Sequence, residues 1–269
     1  MPLKRNWAEM AWEDFADADS ASWIAVLPLA AVEQHGPHLP LGTDAFIVEA
    51  YVARAQKLLP DALKATFLPL QAIGTSHEHR AFAGTLSLAP ETLMRVLAET
   101  AESVRRAGIR KLVFANGHGG NVAALDLVVL DLRARLGMLA VACSFARLGY
   151  PDGLFAPAEI AHGIHGGDVE TSLMLAARPD LVRTERAKNF VPATVAMERE
   201  FKWLGAAESV GFGWMSQDLN PSGAMGDATL ATAAKGEAAL AHGARAFVAL
   251  LEEAARFDLA RLGEGPLGS

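Results

Sequence analysis

Trp23-Ile24-Ala25-Val26-Leu27-Pro28-Leu29 is closely followed by Glu33-Gln34-His35-Gly36-Pro37-His38-Leu39-Pro40-Leu41-Gly42-Thr43-Asp44. The first piece is a short apolar run and reads as a buried strand. The second places two carboxylates and two imidazoles in a loop punctuated by Gly and Pro. Hard-to-borderline divalent metals take that mixture of O and N ligands, and strand ends are where α/β folds carry chemistry.

The alternation continues outward from this stretch. Further β-like runs lie at 66–70, 111–115 and 139–145, with helical patterns between them at about 44–59, 90–107 and 122–136. Pro90 opens its helix, Glu91 sits in the first turn and Gly108 lies just past the end. Val113 and Phe114 suit a strand buried on both faces. Such alternation predicts an α/β fold, a mainly parallel sheet covered by helices on both sides. Three polar motifs, at 33–44, 76–79 and 116–121, then fall shortly after strands.

Beyond about residue 148 the pattern loosens. Residues 149–167 are rich in Gly, Pro and Ala and read as an irregular loop near the site. A helix is expected from about 167, and 228–257 reads as a long Ala-rich helix, suited to close packing as core or as subunit interface. No internal repeat or linker appears, so the expectation is one domain over 1–269. The tail Gly263-Glu264-Gly265-Pro266-Leu267-Gly268-Ser269 carries no helical or strand pattern.

Composition narrows the class. Of 269 residues 51% are hydrophobic, enough for a sizeable core, and no polar tract signals disorder. The chain has 24 basic against 31 acidic residues and no Lys/Arg cluster, which argues against nucleic acid as its main partner. Cys143 is the lone cysteine, so intrachain disulfides and multi-thiolate metal sites are excluded and a reducing cytoplasm is expected. Met1-Pro2-Leu3-Lys4-Arg5-Asn6-Trp7 has no apolar signal core, and no apolar run approaches the ~20 residues of a membrane span.

Each motif has a plain reading beside the chemical one. Glu33 and His35 leave an extended segment from the same face, though a lone Glu-x-His is commonly just a polar loop. Asp44 follows Gly42-Thr43 and could cap the next helix, with one oxygen left to ligate. In Asn116-Gly117-His118-Gly119-Gly120-Asn121 only His118 is a strong ligand type; a tight turn or a backbone phosphate cradle are the alternatives, the latter without the usual glycine or lysine pattern. In His165-Gly166-Gly167-Asp168-Val169-Glu170-Thr171-Ser172, Asp168 and Glu170 both suit a first helical turn, and Glu170 could also point into a site. His162 and His165 flank a glycine, and one of them is a candidate general acid or base. In Thr75-Ser76-His77-Glu78-His79, Ser76 and His79 read as substrate-binding or loop hydrogen-bonding groups before metal ligands. Of the eight histidines only His242 lies outside these clusters.

Taken together, 33–40, 116–121 and 165–172 resemble the creatininase family of metal-dependent amidohydrolases, as do Gly84-Thr85-Leu86-Ser87-Leu88 and Met225-Gly226-Asp227-Ala228-Thr229. The likeness runs from Trp7-Ala8-Glu9-Met10 to about Gly236. It implies a three-layer α/β/α sandwich and a two-metal centre of Zn or Mn, with Fe also compatible. Carried over by position, the metal ligands are Glu33, His35, Asp44, His118 and Glu170, with Asp44 bridging. His165 is the implied catalytic histidine, with Glu170 both ligand and catalytic, and Ser76, His79, Gly119 and Gly120 on the substrate side.

One departure limits the resemblance. Creatininases proper carry Tyr and a metal-binding Glu where this chain has Gly119 and Gly120. Ala161 and Ile164 stand near His165 in place of aromatic residues that close over creatinine. Relatives with the Asn-Gly-His-Gly-Gly-Asn form include deformylases of pyrimidine intermediates, a peptidase of peptide-cofactor maturation and cyclic ketone or lactam hydrolases. The leading expectation is therefore a di-metal hydrolase cleaving a C–N bond in a small amide, formamide or lactam. The alternatives are a cyclic ketone or lactone substrate at the same centre, or a non-catalytic small-molecule binder. The family also implies a homo-oligomer, commonly a hexamer.

Overall fold

The computed structural model describes residues 4–16, 22–206, 210–263 and 265. The start of the segment read for an export signal and most of the C-terminal tail lie outside the described residues.

Four parallel strands form the central sheet in the order β2-β1-β3-β4: β1 (Ile24–Leu29), β2 (Ala65–Phe67), β3 (Lys111–Asn116) and β4 (Leu139–Ser144). Helix α1 (Thr43–Leu58) links β1 to β2, α2 (Pro90–Arg106) links β2 to β3, and α3 (Val122–Leu136) links β3 to β4. Side chains alternate across the two faces of a strand, and here both faces are covered. Ile24, Val26, Val113 and Ala115 enter the core beneath α1, while Ala25, Leu27, Leu29, Leu112 and Phe114 enter the core beneath α2 and α3. Phe114 is wholly buried, and truncating a phenylalanine in such a place costs about 3–5 kcal/mol.

The second half adds α4 (Pro157–His162), α5 (Asp168–Ala177), α6 (Thr194–Glu200), α7 (Ser216–Leu219) and α8 (Ala233–Arg256). Two-residue strands pair as β5 (Asn189–Phe190) with β8 (Gly226–Asp227), and as β6 (Leu204–Gly205) with β7 (Val210–Gly211). Helices α5 and α8 share the α1 core through Leu173, Met174, Leu240, Phe247 and Leu251. The three-layer α/β/α sandwich is thus present. No helix is long and apolar enough to cross a membrane among the described residues.

Three readings need correction. The stretch 149–167 is not all loop, because Pro157 opens the short helix α4. The C-terminal helix begins at Ala233, not at 228: Ala228–Leu230 is a separate 3-10 turn closed by Asp227, and Thr232 caps α8 by accepting from the Lys235 amide at 3.2 Å. Asp44 is not a cap. It lies in the first turn of α1 behind Gly42, and no backbone N–H donates to its carboxylate.

The strand order decides where a site can form. From β1 the chain moves outward to β2, then crosses back to lay β3 on the other side of β1. The loops leaving β1 and β3 therefore diverge, and the crevice between them lies at a topological switch point.

Candidate metal centre

The loop after β1 is shaped by its hydrogen bonds and by Gly36, whose φ of +71° turns the chain where a side chain would be strained. The Glu33 amide donates to the Leu41 carbonyl at 2.9 Å, and the Leu86 amide donates to the Val32 carbonyl at 2.8 Å. The loop after β3 is tied by Asn121. Its amide nitrogen donates to the Ala30 carbonyl and to Asn116 Oδ1, both at 3.1 Å, and its oxygen accepts from the Thr75 amide at 2.9 Å. One buried side chain thus joins the ends of β1 and β3 to the loop carrying Ser76–His79.

These loops bring Glu33, His35, Asp44 and His118 together with Glu170 from the first turn of α5. Asp44 Oδ1 lies 3.1 Å from His35 Nε2, and Asp44 Oδ2 lies 3.2 Å from His118 Nδ1. Glu33 Oε1 lies 3.2 Å from His118 Nδ1, and Glu170 Oε2 lies 3.8 Å from His35 Nε2. Each histidine is oriented by its other nitrogen: His35 Nδ1–H donates to the Glu33 carbonyl at 3.1 Å, and His118 Nε2–H to the Thr75 carbonyl at 2.9 Å. Metal-binding imidazoles are commonly held this way.

His165 stacks between His35 and His79, with both ring pairs 4.1 Å apart. Its Nε2–H donates to the Gln34 carbonyl at 2.5 Å, which leaves Nδ1 facing Glu33 Oε1 at 3.8 Å. His79 is placed differently. The Gln34 amide donates to the Gly223 carbonyl at 2.9 Å and faces His79 Nδ1 at 2.7 Å, so His79 presents Nε2–H to Glu33 Oε1 at 3.4 Å. In that tautomer it faces the Glu33 carboxylate without closing a hydrogen bond to it.

Charge balance follows from this geometry. Burial disfavours charge on His35, but Asp44, Glu170 and Glu33 outweigh it and raise its pKa to about 9. His118 rises well above its ordinary value, against burial, because Glu33 and Asp44 face it. Asp44 falls despite burial, drawn down by His35 and His118. Burial raises Glu170 to about 7, and burial plus the neighbouring His35 and His79 push His165 well below 6.5.

The residues fit a metal. Both Glu33 carboxylate oxygens and Asp44 Oδ2 are buried and close no hydrogen bond, although imidazoles face Glu33 Oε1 and Asp44 Oδ2, and a cation would relieve this costly state. Glu33, His35 and Asp44 form one possible ligand group, with His35, His165 and Glu170, and Glu33, His79 and His165, as overlapping ones. A cavity of about 460 Å³ opens beside them, lined by Asp44, Glu78, His118, Gly120, His165 and Glu170 among others. Gly119 also lines it, with open space where a side chain would project. Ser76 is buried with Oγ 3.5 Å from His118 Nε2.

Other motif residues lie elsewhere. His38 bonds to Thr171 Oγ1 at 2.9 Å and stacks on Phe190, and His162 faces Thr194 and Glu198 away from the centre. Asp168 joins α5 to α8, accepting from Ser172 Oγ at 3.0 Å and pairing with Lys235 at 2.6 Å. Three structural roles were not read from the sequence. Glu159 anchors the turn before α5, accepting from the Val169 and Asp227 amides at 3.2 Å. Asn121 ties the loops. Glu78, between two histidines of a polar turn, faces the cavity.

A family model described as creatininase, creatinine amidohydrolase, matches residues 8–251. The mycofactocin precursor peptide peptidase of Mycobacterium tuberculosis is 39% identical over 225 residues, covering 80% of this chain and 79% of that protein. The creatinine amidohydrolase of Pseudomonas putida is 31% identical over 207 residues, covering 69% of this chain and 76% of that one. A solved structure described as creatininase with Mn superposes with a TM-score of 0.73 at 26% identity, covering 93% of this chain and 98% of that chain.

Proposed function

Because this chain belongs to the creatininase family of metal-dependent amidohydrolases, we propose that it hydrolyses a C–N bond in a small amide, formamide, lactam or short peptide. Two divalent ions, Zn or Mn, would in this reading be held by Glu33, His35, Asp44, His118 and Glu170. The observation that carries it is the set of buried Glu33 and Asp44 oxygens facing His35 and His118, whose far nitrogens are already engaged.

Ions bound there would polarise a carbonyl and acidify water. The chain's own groups supply the rest. His165, neutral and with Nδ1 free, receives a proton beside Glu33 and delivers it to the leaving nitrogen. His79 faces the Glu33 carboxylate, while Ser76, Gly119 and Gly120 border the substrate. Glu170 closes the cluster from the α5 side, tethered by the Gly166 amide at 2.5 Å.

Within C–N bonds, a peptide bond is supported by the 39% identity to the peptidase, against 31% to the creatinine amidohydrolase. The test is a panel of lactams, N-formyl compounds, short peptides and lactones, offered to protein reloaded with Zn or Mn after chelation. Amine release that depends on the added metal is expected. Acid release from lactones with no amide cleaved, or no turnover of any member, overturns the reading.

Assembly as a homo-oligomer is part of the proposal. The small residues of α8 pack within the chain, where Gly243 sits against Tyr51 and Gly236 against Ser172, so they do not argue for a subunit interface. Light scattering of the purified protein checks the assembly.

A further inference from the structure

Glu78 is the carboxylate of the cavity that the proposed metal centre does not use. It lies in the turn His77–His79, with its side chain only 19% exposed. Its nearest charged neighbour is His118, with Oε1 3.5 Å from Nε2. That nitrogen already donates to the Thr75 carbonyl at 2.9 Å, so Glu78 is left without its proton. No lysine or arginine pairs with Glu78 among the described residues, and none lines the cavity.

Gly120 shows how closely the fold accommodates this carboxylate. A Cβ at position 120 would stand 2.5 Å from Glu78 Oε1, 2.5 Å from His118 Nε2 and 2.6 Å from the Thr75 carbonyl. The missing side chain leaves room for Glu78 to lie against the loop, beside His118 and on the cavity wall. The same cavity is also lined by Ile164 and Trp214, which fit an apolar stem. A half-buried carboxylate with spare acceptor capacity attracts a charged donor and repels an anion.

We propose that Glu78 is a specificity-determining residue that receives a cationic nitrogen of the substrate, an ammonium or amidinium, in the cavity beside Gly120. The proposal rests on the amidohydrolase reading and narrows it to substrates that carry such a group. A charge-assisted hydrogen bond of this kind favours the cationic ligand by about tenfold or more.

The experiment compares amides of the same shape with and without the charge, glycinamide against propanamide and β-alaninamide against butanamide. Binding to metal-loaded full-length protein is measured by calorimetry, and metal content by elemental analysis. The wild type is expected to prefer the amines, and Glu78→Gln and Glu78→Ala to lose the preference while keeping their metal and thermal midpoint. If wild type shows no preference, whether both members bind or neither does, the proposal is overturned. A preference that survives in Glu78→Gln overturns it as well, and so does loss of metal from that variant, which would make Glu78 a ligand. Failure of wild type to cleave any amide counts against the amidohydrolase reading instead, since the binding preference is read without turnover.

Discussion

Asp44 Oδ2 lies 3.2 Å from His118 Nδ1, while the other oxygen of the same carboxylate lies 3.1 Å from His35 Nε2. One carboxylate thus faces two imidazoles delivered by different loops, so both of its oxygens lie among candidate ligands. It is possible because Asp44 sits inside the first turn of α1 and its oxygens are not taken by helix amides.

Asp44→Asn keeps the shape and removes the charge. Changes one step further out from a metal cost about 10–100-fold in affinity, so loss of Asp44 as the proposed ligand is expected to cost about 100-fold or more. Chelator competition and elemental analysis measure this. Wild-type affinity in the variant would show that Asp44 is not a ligand.

Metal binding should release protons. In the metal-free protein His35 stays charged up to about pH 9, and His118 is likewise raised, yet a ligating imidazole must be neutral. Between about two and three protons are therefore expected to leave on binding at pH 7, the histidines giving about two and Glu170, whose pKa is about 7, about half of one, and affinity should climb with pH until about pH 9. The metal-free fold behaves oppositely: the stability contributed by charged His35 is present below about pH 6.5 and lost as pH rises through about 9. Calorimetry in buffers of different ionisation enthalpy counts the protons; a count of zero contradicts the assignment.

His165 separates chemistry from ligation. With one nitrogen donating to the Gln34 carbonyl and burial keeping it neutral, it can act as a base at neutral pH. His165→Ala is expected to lower kcat by about 10²–10⁴ while metal content holds. Loss of a metal equivalent would instead place His165 among the ligands.

The sheet was legible because its strands are short apolar runs between periodic helices, and α3 matches its expected bounds, Val122–Leu136. The elements that escaped are too short to show a period: the two-residue strands, α6 and α7. Pro157 and Thr232 were available as start signals for α4 and α8. Asp44, His118 and Glu170 announced themselves as ligand types at strand or helix ends. Glu78 and Asn121 did not, because their roles depend on loops far apart in sequence, 42 residues separating Glu78 from Gly120.

Asn121 provides a stability test. Alanine there removes three hydrogen bonds and leaves the Thr75 amide and the Ala30 carbonyl without that partner. A loss of about 2–4 kcal/mol is expected, read from chemical denaturation of the metal-free protein. Because the same bonds align the β1 and β3 loops, metal affinity should fall with it. A variant of unchanged stability would show that the loops hold their register without Asn121.

Adjacent glycines give the sharpest contrast. Gly119 has nothing within 4 Å of where its Cβ would stand, whereas a Cβ on Gly120 meets three atoms at 2.5, 2.5 and 2.6 Å. One of these is the backbone carbonyl of Thr75, which cannot swing aside as the end of a side chain can. Gly120→Ala must therefore displace the loop and, with it, the hydrogen bond that orients His118. Metal affinity is expected to drop by about 10-fold or more, as when an outer support of a metal ligand is lost. Gly119→Ala projects into open space and should leave metal binding near wild type. Equal behaviour of the two alanine variants in chelator competition would rule out the close approach at Gly120 as the reason for glycine there.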